Sequence, residues 1–133
     1  MILLDTHVLV WLDQGSRQLG SKSLALADEA LKSSELFVSA ISFWEIAMLV
    51  EKGRLEMQMK VENWRQALLD NGLVEVDLSG DIAIQSAQLQ NIHGDPADRI
   101  IVATAIGLSA TLCTADMKIL SWTQDLERFD AHK

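Results

Sequence analysis

MILLDTHVLVWL, residues 1–12, decides the fold. Ile2-Leu3-Leu4 is an unbroken apolar run, too short for a helix, and reads as a strand buried on both faces. Asp5 closes it, and Thr6 to Leu12 reads as a helix leaving its end. A strand that turns into a helix across one residue is the repeating unit of an α/β chain. The same pattern recurs downstream. Leu36 to Ser39 and Thr111 to Cys113 are further buried strands. Leu73 to Asp77 alternates and reads as a strand with a wetter face near a sheet edge, and Glu127 to Asp130 as a last edge strand.

The intervening segments read as helices. Ser23 to Ser33 places Leu24, Ala27 and Leu31 on one face. Phe43 to Glu51 follows, with Ser42 as N-cap and Glu45 as its capping-box partner. Val61 to Asn71 is stopped by Gly72, and Ser79 caps a helix running to about Leu89. Asp95 caps a helix with Pro96 at its first position, ending near Leu108. Asp116 to Trp122 reads as a short helix, with Thr114 as its cap. Together these imply one α/β domain over residues 1–133, with a mostly parallel sheet of about five strands and no interdomain linker.

Composition narrows the class. The chain is 49% hydrophobic and 23% charged, with one Pro, as suits a compact globular protein with short loops. No run approaches the roughly 18 apolar residues of a membrane span. Asp5 interrupts the first apolar run and no basic region precedes it, so no signal peptide is expected and the location is read as cytoplasmic. Cys113 is the only cysteine, which excludes an internal disulfide or a cysteine metal cluster; it reads as an inert core thiol. The net charge of −8 argues by itself against a nucleic-acid surface, but a divalent cation inverts the local sign at an acidic site, and an acidic chain suits a basic partner.

Four acids stand at the edges of apolar runs: Asp5, Glu45, Asp98 and Asp116. A buried, unpaired carboxylate is costly. In an open α/β sheet, ligands bind beyond the carboxyl ends of the strands. Asp5 and Asp116 lie at such ends, and Glu45 and Asp98 in early helix turns, so all four can face one crevice. The simplest way to keep them ionised together is a hard cation with oxygen ligands, Mg²⁺ or Mn²⁺. Each also has a purely structural reading as a helix cap or first-turn acid. Thr6, Thr114, Asp95 and Arg99 are supporting candidates, with Arg99 placed to orient Asp95 or Asp98 or to touch substrate. His7, His93 and His132 show no zinc spacing; His93 lies in a polar turn, and only His7, near Asp5, is a candidate substrate contact. Trp11, Trp44, Trp64 and Trp122 read as packing residues, with Trp44 beside Glu45 as a wall of the site.

Four stretches, in order and in register, resemble the motifs of the PIN domain, and within it the VapC-type toxins of toxin–antitoxin pairs. MILLDTHVLVWL carries Asp5, VSAISFWEIAMLVEKGRLEM carries Glu45, HGDPADRIIVATA carries Asp98, and LCTADMKI carries Thr114 and Asp116. Departures are small: many relatives have Lys near Met48 or Leu49 and Pro near Met57. The resemblance implies a three-layer fold, a metal-dependent endoribonuclease leaving 5′-phosphate and 3′-hydroxyl ends, a homodimer, and an antitoxin whose basic tail blocks the site. Asp5, Glu45 and Asp98 would hold the metal, with Asp116 a further ligand or a supporting group. Two other classes are weighed against it. An aspartyl phosphatase would carry a second Asp two residues after the first, where His7 stands. A non-catalytic interaction module would have lost some of the acids, and all four are present.

Overall fold

The computed structural model describes residues 1–133. Five strands and seven helices follow one another as β1 (Ile2–Leu4), α1 (Thr6–Gln14), α2 (Ser21–Lys32), β2 (Leu36–Ser39), α3 (Ala40–Glu51), α4 (Val61–Asp70), β3 (Val74–Val76), α5 (Gly80–Gln88), α6 (Pro96–Leu108), β4 (Thr111–Thr114), α7 (Met117–Leu120) and β5 (Arg128–Asp130). The strands form one sheet in the order β3-β2-β1-β4-β5, and every pairing is parallel.

β1 is central, with Leu3 opposite Phe37 on one side and Leu112 on the other. Alternation along the strand sends Leu3 and Leu4 to opposite faces, and both are fully buried. Leu4 joins Val8, Leu9, Ala27, Leu36, Val38, Phe43, Ile46 and Trp64 in a core beneath α1, α2, α3 and α4. Leu3 joins Ile101, Val102, Ala105, Leu112, Ile119 and Trp122 in a second core beneath α6 and α7. Burial on both faces explains the continuous apolar runs of the inner strands, and edge placement explains the alternation of β3. Cys113 is a buried free thiol, and burial pushes its pKa up to about 11.

Two local expectations are corrected. α3 begins at Ala40, directly after β2, and its cap is Ser39, whose hydroxyl accepts from the Ile41 N–H at 3.2 Å. Ser42 is therefore a fully buried helix residue rather than a cap, and Glu45 is not its capping-box partner. α7 is capped by Asp116 itself, not by Thr114.

The sheet order positions the site. From β1 the chain moves one way to β2 and β3, then returns to the other side of β1 as β4 and β5. The crevice at such a reversal, beyond the carboxyl ends of β1 and β4, is bounded by residues 5 and 115–116.

Candidate metal centre

Asp5 ends β1 and caps α1. Its Oδ1 accepts from the Thr6 N–H at 2.8 Å, and its Oδ2 accepts from the Thr114 hydroxyl at 2.7 Å. Thr114 closes β4 and is fully buried. Its oxygen also accepts from the Asp116 backbone N–H at 3.1 Å, so one hydroxyl ties together the ends of two adjacent strands. Asp116 accepts from the Lys118 N–H through Oδ1 at 2.9 Å.

Glu45 enters from α3. The buried Thr6 hydroxyl lies 2.6 Å from Glu45 Oε1 and 2.9 Å from Ser42 Oγ. Thr6 has one hydrogen to give, and the carboxylate takes it; Ser42 then donates to the Thr6 oxygen. Asp98 stands in the first turn of α6, and its N–H donates to the capping Asp95 carboxylate at 3.1 Å.

These side chains meet in a cleft of about 300 Å³ lined by Asp5, His7, Trp11, Glu45, Asp95, Asp98, Ala115 and Asp116. All four expected acids are there, together with Asp95, and the lining holds no Lys or Arg. Larger cavities of about 410 and 650 Å³ lie elsewhere and gather no comparable set of acids. Burial is the main cause that raises the pKa of Asp5, and the Thr114 and Thr6 hydrogen bonds only partly offset it. Burial likewise raises Glu45, offset by Thr6 and reinforced by the charges of Asp98, Asp5 and Asp95. Burial raises Asp98, offset by a hydrogen bond from His93 and reinforced by Asp5 and Asp95. Three carboxylates thus hold their charge at a cost that a cation would remove. A carboxylate-lined cleft of this kind fits a hard divalent cation.

Several assignments change. Trp44 is 53% exposed and does not line the cleft, where Trp11 does instead. Arg99 orients neither Asp95 nor Asp98; its guanidinium donates to the carbonyls of Ser86, Ala87, Leu89, Ile92 and His93. His93 was passed over in the sequence, yet its Nε2 lies 2.7 Å from Asp98 Oδ2. Donor atoms of His93, Asp98 and Asp116 all fall within 4.8 Å of one another. The only legible signal was its place two residues before the Asp95-Pro96 helix start.

A PIN domain family model matches residues 2–121. The chain is 35% identical over 121 residues to Ribonuclease VapC22 of Mycobacterium tuberculosis, covering 90% of each. Among solved structures it is similar to a toxin–antitoxin complex from Klebsiella pneumoniae, at 25% identity, a TM-score of 0.64 and 92% of each chain. It also shares the fold of VapBC2 from Rickettsia felis bound to a DNA fragment from their promoter, at 22% identity, a TM-score of 0.67, and 98% and 100% of the two chains.

Proposed function

The chain belongs to the PIN-domain family, on its VapC branch, and from that premise we infer that it is a metal-dependent endoribonuclease and the toxin of a toxin–antitoxin pair. The observation that carries this reading is the meeting of Asp5, Glu45, Asp98 and Asp116, from four separate segments, in one cleft. A phosphodiester brings a further negative charge into a space already lined by acids, so these residues are suited to substrate only with a cation between them.

Asp5, Glu45, Asp98 and Asp116 would hold Mg²⁺, with Mn²⁺ as a substitute. When bound, the cation supplies a water of lowered pKa and neutralises charge building on the phosphate oxygens. The protein's own contribution is to fix the ligands. Thr114 and the Thr6 N–H each engage one oxygen of Asp5. The Thr6 hydroxyl holds Glu45. Asp95 holds the Asp98 backbone and adds a fifth charge. His7, exposed at the cleft wall, is the candidate side chain for contact with the RNA strand. An antitoxin with a basic tail is the matching partner, since a Lys or Arg entering the cleft would replace the cation's charge and block substrate; a homodimer is the expected assembly. The net charge of −8 favours such a partner.

The test is cleavage of total cellular RNA by the purified chain, freed of any partner, in Mg²⁺ or Mn²⁺. EDTA and Asp5→Asn are the controls. Discrete products lost in both are expected, with the variant reduced at least about 10²-fold while its far-UV circular dichroism is unchanged. Cleavage that survives EDTA, or full activity in Asp5→Asn, would overturn the metal–carboxylate mechanism. A chain that neither cleaves nor binds a divalent cation is an interaction module.

A further inference from the structure

His93 is the one imidazole hydrogen-bonded to a cleft carboxylate, and the chemistry above does not use it. Its Nε2 lies 2.7 Å from Asp98 Oδ2 and 3.7 Å from Asp116 Oδ2. Its Nδ1 is buried and has no hydrogen-bond partner. The two nitrogens therefore have opposite requirements. A hydrogen on Nδ1 would be a buried donor without an acceptor. A bare lone pair on Nε2 would face a carboxylate oxygen at hydrogen-bond distance. A ring with its hydrogen on Nε2 and none on Nδ1 satisfies both. A metal ligand has the reverse need: the lone pair turned to the cation and the other N–H held by an acceptor. Here that acceptor is missing, although the distances among His93, Asp98 and Asp116 would admit an ion.

The loop carrying His93 is held just as firmly. Arg99, next to Asp98, donates to the carbonyls of Leu89, Ile92 and His93. Trp122, just beyond α7, donates through Nε1 to the Gln90 carbonyl at 2.9 Å. The connection between α5 and α6 is thus tied back to the element that bears Asp98.

Resting on the nuclease reading, we propose that His93 is a positioning residue: its Nε2–H binds Asp98 Oδ2, fixes the carboxylate plane and leaves the other oxygen for the cation. His93 is not itself a ligand. A carboxylate free to rotate would bind the cation less well, because the ordering would have to be done on binding.

Two measurements test this on the purified full chain. In the metal-free protein, a two-bond ¹H–¹⁵N spectrum should show the His93 hydrogen on Nε2. A ring with its hydrogen on Nδ1 and none on Nε2 overturns the proposal without touching the nuclease reading. Calorimetric titration with Mn²⁺ should then show His93→Leu binding about 10–100-fold more weakly than the parent. His93→Gln, which keeps an N–H donor, should recover most of that loss. Equal affinity in His93→Leu and the parent, or equal weakness in the Leu and Gln variants, overturns it. If His93→Leu does not fold, His93→Asn replaces it: its amide is too short to reach Asp98, so tight binding by Asn overturns the proposal and weak binding beside a recovered Gln supports it. A parent that cleaves RNA and binds Mn²⁺, with His93→Leu unchanged, sinks only this inference. A parent that binds no Mn²⁺ sinks the nuclease reading and takes this one with it.

Discussion

Two threonine hydroxyls do much of the work of holding the acids. Thr6 holds Glu45, and Thr114 holds Asp5. Thr6→Val keeps the shape and removes the hydroxyl, leaving Glu45 and Ser42 without their shared partner. Cleavage is expected to fall about 10–100-fold, with Thr6→Ser restoring most of it, as read by initial rates on one defined RNA. The raised pKa values give a second expectation. Asp5, Glu45 and Asp98 bind their protons more tightly folded than unfolded. Between the unfolded carboxylate range, about 4, and the raised folded values, the folded state therefore carries more protons, and stability is lost as pH rises through that window. Thermal melts in EDTA should show this decline, a saturating divalent cation should flatten it, and Glu45→Gln should reduce it. The Arg65–Glu75 pair, with two contacts of 2.7 Å, works in the opposite sense: Glu75 is lowered by Arg65, so its contribution is lost as pH falls. At this scale the acids were legible because charge at the end of an apolar run is conspicuous. Their threonine partners were visible only as motif neighbours, and His93 hardly at all, since a hydrogen bond across a turn leaves no periodic trace.

Among the elements, the α5–α6 connection shows how one side chain can organise a segment without regular structure. Arg99 receives no help from an acid; its five donors answer carbonyls left unpaired at the end of α5 and in the loop after it. A lysine cannot reproduce that fork. Arg99→Lys is expected to cost about 2 kcal/mol, measured by urea unfolding, and to lower activity through the displaced loop. From sequence Arg99 reads either as a partner of Asp95 or Asp98 or as a substrate contact, because opposite charges adjacent in a chain suggest contact. On a helix, however, consecutive residues point in different directions, and Arg99 faces away from Asp98 toward α5. The start of α3 was misread for a related reason. Ser39 and Ser42 are both acceptable caps, and only the end of β2 decides between them. Strand and helix identities were otherwise legible, because two-sided burial writes continuous apolar runs and amphipathic helices write a 3.6-residue period.

For the molecule as a whole, the run of elements and the family resemblance imply a mostly parallel sheet of about five strands but not the order of those strands, which the structure shows to be β3-β2-β1-β4-β5. That order is what turns four scattered acids into one cleft. A cation that binds only the folded chain stabilises it by mass action: at a hundredfold excess over its dissociation constant the gain is about 2.7 kcal/mol. For a domain of this size that is a rise in Tm on the order of 10 °C. Differential scanning calorimetry with Mn²⁺ should show it in the parent and lose most of it in Asp5→Asn.

Thr114 and Asp5 touch across 109 residues of sequence, and this separation times the appearance of the cleft during synthesis. The central strand β1 leaves the ribosome long before β4, one of its two neighbours. At about 5–20 residues per second, on the order of ten seconds pass between them. Throughout that interval a nascent chain holds Asp5 without the Thr114 hydroxyl that fixes it and without Asp116 across the cleft. The acid-lined cleft is therefore assembled only after β4 has been made and has paired with β1.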